Sequence, residues 1–510
     1  MRILSCALGL LTLGACETAD HESRAFMTPR SANVPAQFPG ENATDVNPDT
    51  HLLLTFSSPP SIVGSGTIRI YDAADNSLVD TLDVGIPASP HPNGRAPPKN
   101  PGAASPAPHD PNNKAVYQEN LIGGVEFHFF PIIVHGNTAT VYPHNNRLKY
   151  GHSYFVRMDP GVLTTAGGAF AGFADDRGWR FTTKRAPPRA DTAKVVVAAD
   201  GQGDFNTVQG AIDFLPAKPA QHTTIFIRNG DYEEIVFING KSNFTIRGED
   251  REKVRVGYRN NSAFNPSRGG PSRRPAFSIQ EGSDIQLSTF TINNYFMGQA
   301  EALLVRGQRI VVDRMTLNGS GDALTTYGTI YMVDSKLTGH GDTILGYAAL
   351  YCLRCEVHSI GPMTWTRTPQ GSHGNVFVDS TLIAIDEPLP WTVTETDPGR
   401  KTPSVFARLP RNSPGSSAPN FPYAEMVLID TKSQGVSAEG WGPVEEAPGF
   451  DRSNVRFFEY NTMDLDGRPV DMSRRHEIVR RLRLPEDAQV VADYRTPEFV
   501  LGGWKPVVRR

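Results

Sequence analysis

The second half of the chain repeats a short β-type unit about every 20 residues. The clearest pair is GSGDALTTYG at 319–328 and GHGDTILGYA at 339–348, since both read G-x-G-D followed by Thr and apolar residues. Other runs, such as NFTIRG, IVVDRMTLNG and TIYMVDSKLTG, are separated by Gly, Asn and Asp. Periods of roughly 20 to 50 residues are typical of repeat proteins in which each unit stacks on the next. The repeat therefore predicts an all-β solenoid with one shared core.

A right-handed parallel β-helix is the solenoid that this pattern favours. Its alternative is a second β-sandwich, which would need antiparallel hairpins with two-residue turns, and such turn pairs are sparse here. On a β-helix, this period places Asp322 and Asp342 on adjacent strands, about 4.8 Å apart in backbone. Two carboxylates so close cannot both ionise easily, so one is expected to be protonated and the other charged. The spacing alone fits a pair of turn aspartates at least as well as a catalytic pair.

The first half of the chain predicts a separate antiparallel β-sandwich. A chain of 510 residues is too long for one ordinary core. Short strands between turn residues are expected at 51–56, 67–71, 125–130, 139–142 and 153–157. The stretch TFSSPPSIVGSGTIRIY and the later TATVYPHNNRLKYGHSYFVRM resemble bacterial Ig-like domains that often accompany secreted enzymes.

Proline-rich segments predict the boundaries of the two domains. RAPPRADT at 185–192 is expected to be a linker, which gives a sandwich at 40–184 and a β-helix at 193–510. A second segment, IPASPHPNGRAPPKNPGAASPAPHDPNNK, interrupts the sandwich and is expected to form a mobile loop, because proline cannot donate to a strand ladder.

The N-terminal stretch MRILSCALGLLTLGAC predicts export. Arg2 precedes an apolar run from Ile3 to Leu13, as in a secretory signal. Leu-Gly-Ala-Cys at its end resembles a bacterial lipoprotein box, so residues 1–16 are interpreted as a signal peptide with Cys16 as the lipidated residue, and 17–39 as a tether. A plain secretory signal is the alternative. We expect an outer-membrane lipoprotein, or a periplasmic or extracellular protein, attached to the membrane by lipid alone.

Charge and cysteine content exclude several classes of function. A net charge of −4 gives no reason to expect a nucleic-acid partner. Cys352 and Cys355 point to opposite faces if they lie on a strand, so they are expected to be small core residues and not a disulfide or metal site. Neither a metal nor a cofactor is predicted. Arg273 and Arg274 are expected to be solvated loop charges, with binding of acidic sugar as the alternative.

Motifs along 195–500 resemble, in consistent order, those of the pectin methylesterase (pectinesterase) family, carbohydrate esterase family 8. VVVAADGQGDFNTVQGAIDFLP resembles the family's opening segment, and GQAEALLV its Q-A-x-A-L motif. GDALTTYG falls where the family has Q-D-T-L, GDTILG where it has D-F-I-F-G, and FARLP where it has L-G-R-P-W. The resemblance implies a parallel β-helix that hydrolyses the methyl esters of galacturonate in pectin, an acidic polysaccharide. We expect a monomer.

The same resemblance implies the site residues. Asp342 falls at the nucleophile that attacks the ester carbonyl, and Asp322 at the acid/base that protonates methanol and then activates water. Arg408 is expected to hold Asp342 ionised and aimed. Gln299 is expected to donate a hydrogen bond to the oxyanion.

Two positions depart from the family pattern. Gly321 stands where the family has an oxyanion Gln, a loss that costs on the order of 10²–10³ in rate; a nearby backbone N–H, a water or Gln299 are the candidate replacements. Pro410 stands where the family has a Trp that stacks on sugar, and Trp365 or Trp441 are the candidate replacements. These departures keep two alternatives open: an envelope protein that binds polysaccharide without turnover, or an esterase for another ester.

Overall fold

The computed structural model of the protein describes residues 35–95, 116–386, 389–392, 404–408, 421–442 and 452–510. Cys16, with the predicted signal peptide and most of the tether, lies outside the described residues, as do Pro410 and the greater part of the Pro-rich insert. Within the described residues, no helix is both long enough and apolar enough to cross a membrane.

Residues 36–183 form two main β-sheets and two smaller ones around one core. The strands are β1 Ala36–Phe38, β2 Ala43–Val46, β3 Leu52–Thr55, β4 Ser61–Ile62, β5 Thr67–Asp72, β6 Leu78–Asp83, β7 Glu119–Ile122, β8 Val125–His128, β9 Ile132–His135, β10 Thr138–Val141, β11 Ser153–Met158, β12 Leu163–Thr165, β13 Gly168–Ala169 and β14 Arg180–Thr183. One main sheet has the order β1-β3-β10-β9 and the other β2-β14-β11-β5-β6, and every pairing in them is antiparallel except β2 with β14. The five strands predicted in this half are confirmed, whereas its Ig-like identity and the domain boundaries stay predictions.

The rest of the described chain is built from short parallel strands and three short helices. The strands are β15 Lys194–Val197, β16 Thr223–Ile227, β17 Gly230–Glu233, β18 Val236–Asn239, β19 Ser242–Gly248, β20 Val254–Tyr258, β21 Phe277–Ser288, β22 Thr291–Asn294, β23 Leu303–Asp313, β24 Thr316–Asn318, β25 Leu324–Thr326, β26 Ile330–Val333, β27 Lys336–His340, β28 Ile344–Gly346, β29 Leu350–Leu353, β30 Glu356–Ile360, β31 Thr364–Thr366, β32 Asn375–Val378, β33 Thr381–Ala384, β34 Ala407–Arg408, β35 Glu425–Ile429, β36 Lys432–Gln434, β37 Arg456–Tyr460 and β38 Arg480–Arg481. The helices are α1 Val208–Phe214, α2 Ala488–Tyr494 and α3 Pro497–Val500.

These strands form the three faces of a parallel β-helix. Each complete rung contributes one strand to each face, as β25, β26 and β27 do before the chain returns to β28, the neighbour of β25. Asn318 pairs with Thr338, and Leu324 with Ile344, so the register between these rungs is the repeat length read from the sequence. The predicted right-handed parallel β-helix is confirmed, and the alternative of a second sandwich is wrong because the ladders are parallel.

The inside of the β-helix is a stack of apolar side chains, one set per rung. Leu324, Ile344 and Leu350 are fully buried in it, together with Cys352 and Cys355, which are free thiols. The alternation within each strand explains the core, because every second side chain faces inward. The prediction that both cysteines are core residues is confirmed.

The sandwich packs directly on the first rungs of the β-helix. Phe127 and Phe237 lie 5.4 Å apart between ring centroids, and Phe130 and Phe264 lie 4.8 Å apart. One carboxylate adds polar contacts: Asp49 Oδ2 accepts from the backbone N–H of Asn206, at 2.9 Å, and from the N–H and hydroxyl of Thr207, both at 2.8 Å. The two regions therefore share one buried cluster.

Candidate active site

Asp322 and Asp342 lie at the same corner of successive rungs, which confirms the expected adjacency. Asp322 lies between β24 and β25, and Asp342 between β27 and β28. Each follows a glycine with a left-handed backbone, Gly321 at φ +72° and Gly341 at φ +67°. Asp342 itself has φ +46°, a conformation that non-glycine residues rarely adopt and that is often found at functional sites. The repeated G-D sequence thus forms a repeated sharp turn that presents a carboxylate.

Arg408 holds Asp342 through a two-point ion pair. Its Nε donates to Asp342 Oδ1 at 2.8 Å, and its Nη2 donates to Oδ2. Arg408 lies on β34, two strands beyond β28 in the same face, so the β-helix register brings it over the aspartate. A bidentate guanidinium fixes the orientation of a carboxylate through two parallel hydrogen bonds. The side chains of Asp342 and Arg408 remain 14% and 27% exposed, so the pair is accessible from solvent.

Asp322 has a different electrostatic environment. It is 7% exposed, and its Oδ2 accepts from Arg274 Nη2 at 3.3 Å. Burial, followed by the charge of Glu301, holds the pKa of Asp322 well above its ordinary range; Asp342 adds to the rise, and Arg274 opposes it. The two aspartates therefore have different properties: Asp342 is fixed by an arginine of its own, and Asp322 retains a proton to higher pH.

The turn at Gly321 explains why no side chain occupies that position. A Cβ built on Gly321 would lie 2.2 Å from the carbonyl oxygen of Gly298, a separation that real Cβ atoms do not show. The N–H of Gly321 is also occupied, because it donates to the carbonyl of His340 at 3.0 Å. The N–H of Gly321 itself is therefore not available to replace the absent Gln, whereas another backbone N–H near it stays a prediction.

Gln299 lies beside the Asp322 turn. Its neighbour Ala300 forms a two-way backbone bridge with Ser320, with N–H to O distances of 2.8 and 3.1 Å. The residue is exposed, and none of the hydrogen bonds found within the described ranges involves its side-chain amide. An exposed amide at this position agrees with a donor that binds the substrate oxyanion only when substrate is present. The role of Gln299 as an oxyanion donor stays a prediction.

The two tryptophans proposed as sugar platforms differ in position. Trp441 is 2% exposed, donates Nε1 to Glu459 at 2.6 Å, and stacks on Phe457 with ring centroids 4.7 Å apart. Its prediction as a substrate residue is corrected on this ground: a ring so deeply buried offers no face to a sugar. Trp365 lies in the site, since it pairs with Arg408 across β31 and β34, and the Arg408 Cζ lies 4.0 Å from its ring centroid.

A row of cationic and aromatic side chains runs along the edge of the site. Arg306, Tyr327, Tyr347 and Arg367 occupy equivalent positions one rung apart, directly after the paired residues Val305, Thr326, Gly346 and Thr366. The two tyrosine rings stack at 4.5 Å, and Arg306 lies 4.3 Å from the Tyr327 ring. Sequence reasoning missed this row, although the 20-residue repeat would have aligned 327 with 347.

Sequence reasoning also missed the contacts of Arg274 and Glu301. The prediction that Arg273 and Arg274 are solvated is wrong: Arg273 is 3% exposed and the Arg274 side chain 21%. Glu301 occupies the variable position of the Q-A-x-A-L motif and is fully buried. A charged residue inside an otherwise apolar motif was the available signal. Within the part of the chain that the structure describes, no three His, Cys, Asp or Glu side chains converge to form a metal site.

Part of the chain is similar to known pectinesterases. Residues 194–383 match the family model described as pectinesterase. Probable pectinesterase 30 of Arabidopsis thaliana is 31% identical over 170 residues, which are 33% of this chain and 34% of that protein. Pectinesterase 31 of the same plant is 29% identical over 204 residues, covering 37% and 64%. The solved structure of pectin methylesterase from carrot covers 63% of this chain and 95% of its own, with 20% identity and a TM-score of 0.49.

The fold and site define a parallel β-helix protein that carries an arginine-paired carboxylate beside a second carboxylate of raised pKa. Residues 194–383 are similar to the pectinesterase family, whose model they match. The chain spans about one third of the length of the first curated relatives that it matches.

Proposed function

We propose that this protein is a carboxylic ester hydrolase that removes methyl groups from the galacturonate esters of pectin. The observation that carries the proposal is a pair of aspartates in different environments. Asp342 is held by two hydrogen bonds from the Arg408 guanidinium, and Asp322, on the adjacent rung, has a raised pKa. A carboxylate fixed by an arginine, beside a second carboxyl group of raised pKa, suits the division between a nucleophile and an acid/base.

The proposed reaction has two stages. The Asp342 carboxylate attacks the ester carbonyl, and the collapse of the tetrahedral intermediate breaks the carbon–methoxy bond. Asp322 gives its proton to the leaving oxygen, which departs as methanol, and leaves an anhydride between Asp342 and the sugar. Asp322, now ionised, takes a proton from water as the water attacks the anhydride. The products are the free galacturonate and the regenerated Asp342.

Charges along the site edge support an acidic polysaccharide as the substrate. Arg306 and Arg367 end the row that contains Tyr327 and Tyr347, and both guanidinium groups contact aromatic rings. Cations attract the free carboxylates of partly methylated pectin, while aromatic rings offer apolar faces to sugars. Trp365, which contacts both Arg408 and Arg367, remains a proposed substrate residue.

Methanol release from methylated pectin tests this function. We expect release by the wild type and its loss in Asp342→Asn. The matched control is Asp334→Asn, because Asp334 is also a left-handed aspartate at φ +50° held by an arginine, with Arg354 Nε at 2.7 Å, but it lies on another corner of the β-helix. Polysaccharide binding without methanol would support the impaired binding protein instead, and hydrolysis of aryl or acyl esters alone would support another ester substrate.

We also propose that the protein is exported and anchored by lipid at Cys16. The support is the lipoprotein-box sequence Leu-Gly-Ala-Cys after an apolar run. Labelling of cells with a radioactive fatty acid tests it: the wild type should incorporate label into the envelope fraction, and Cys16→Ala should not. Equal labelling of both proteins contradicts the proposed anchor.

A further inference from the structure

We propose that Arg274 supplies the oxyanion donor that position 321 lacks, and that the buried Glu301 holds its guanidinium in place. This inference rests on the proposed esterase function and adds a catalytic residue to it. The need for a donor follows from Gly321, which has no side chain and whose N–H is bonded to His340. A replacement must therefore come from another residue that touches the Asp322 turn.

Arg274 makes that contact and retains unused donors. Its Nε donates to Glu301 Oε1 at 2.6 Å, and its Nη2 donates to Asp322 Oδ2 at 3.3 Å. A guanidinium has five N–H donors, and in the described structure no hydrogen bond is made by Nη1 of Arg274. The Arg274 side chain is 21% exposed, and Nη1 is not among the buried polar atoms without a partner in the described structure. Nη1 thus provides two N–H groups beside the acid/base.

Glu301 fixes the direction of this guanidinium. The carboxylate is fully buried, and its Oε1 also accepts from the Thr325 hydroxyl at 3.2 Å. Its Oε2 is buried without a hydrogen-bond partner among the described residues. A buried carboxylate without a cation is strongly destabilising, so Glu301 keeps Arg274 at this place in the free protein. The donor is therefore preorganised, as electrostatic catalysis requires.

The chemistry of the tetrahedral intermediate places Arg274 near the developing charge. The carbonyl oxygen becomes negative when Asp342 attacks, while the methoxy oxygen accepts the proton of Asp322. Both oxygens are bonded to the same carbon, so a donor that touches Asp322 lies within reach of the oxyanion. Arg274 keeps its own protons throughout and donates hydrogen bonds only. Glu301 touches neither substrate nor Asp342 and acts as a positioning residue.

Steady-state kinetics on methylated pectin across a range of pH test the proposal. Arg274→Met is expected to lower the kcat at the pH optimum by about 10²–10³-fold, the usual effect of losing an oxyanion donor, with little change in KM. Arg274→Lys should restore part of the rate, since it retains a cation, and Glu301→Gln should cause a smaller fall than Arg274→Met. The matched control is Arg273→Lys, because this neighbouring arginine binds Asn265 and the Pro266 carbonyl and not an aspartate.

The pH profile separates this function from a simple effect on Asp322. If Arg274 only tuned the pKa of Asp322, Arg274→Met would move the profile along the pH axis and leave its maximum intact, which would overturn the proposal. An unchanged kcat would overturn it as well. Circular dichroism and the urea midpoint verify folding of each variant. If Arg274→Met does not fold, the kcat of Arg274→Lys is compared with that of the wild type instead. If the wild type releases no methanol, the proposed esterase function is wrong. If the wild type and Arg274→Met release methanol equally well, the function stands and only the role of Arg274 is wrong.

Discussion

The steric barrier at Gly321 gives a quantitative prediction about stability. Gly321→Ala places a Cβ 2.2 Å from the Gly298 carbonyl oxygen on a backbone with φ +72°. The left-handed conformation costs an L-residue about 1–2 kcal/mol, and overpacking against backbone adds about 1–3 kcal/mol. Gly361 is the matched control, since it has φ +82° and its nearest neighbour is the Gly341 Cα at 3.8 Å. Gly361→Ala is therefore expected to have the conformational cost alone.

Urea unfolding followed by circular dichroism measures both costs. We expect Gly321→Ala to be less stable than Gly361→Ala by about 1–3 kcal/mol, with an unchanged dependence of the unfolding free energy on urea. Gly321→Gln should be no more active than Gly321→Ala, because its Cβ meets the same oxygen. Equal stabilities of the two alanine variants would refute the steric argument, and a more active Gly321→Gln would show that the turn can accept the family residue.

Three further changes test other contacts. Asp322→Asn should be more stable than the wild type in urea at pH 7 and lose that advantage below about pH 4, because a raised carboxyl pKa makes folding less favourable as pH rises above the unfolded value; a gain that is independent of pH contradicts this. Arg408→Lys should lower kcat for methanol release by about 10- to 100-fold, since it loses one charge-assisted hydrogen bond worth about 1.5–3 kcal/mol; an unaltered kcat would show that the fork is dispensable. Trp441→Phe should lower the urea stability by about 1.5–3 kcal/mol, because it loses the hydrogen bond to the Glu459 carboxylate, which keeps its ion pair with Arg475, and it should leave KM unchanged; an altered KM would restore a substrate role for this ring.

The period of the sequence was sufficient to predict the rungs and the adjacency of Asp322 and Asp342. Because the rungs stack in a constant register, the repeat length in the sequence determines which residues of neighbouring rungs are in contact. Arg408 needed the family motif, because it is 66 residues from Asp342 in sequence and meets it only through β31 and β34. Arg274 could not be predicted: its partner carboxylates are 27 and 48 residues away, and nothing in a loop arginine indicates burial.

The distinction between the two tryptophans shows another limit. Trp365 and Trp441 were both possible platforms by residue type. What separates them is the partner of each indole: Trp441 donates to a buried Glu459, whereas Trp365 is covered by the guanidinium groups of Arg408 and Arg367. Burial of this kind depends on which rungs lie above and below, so local sequence does not reveal it.

The cluster shared by the sandwich and the first rungs means that the β-helix cannot be excised as an independent module. Cutting the chain in the 185–192 segment would expose Phe237, Phe264 and Phe296, each of which is worth about 1.5–3 kcal/mol when buried. It would also release the hydrogen bonds that Asp49 makes at the start of α1. A recombinant fragment trimmed to residues 194–383, the range of the family match, would therefore carry an exposed apolar face, and engineering of this protein should retain residues 35–184 or redesign that face.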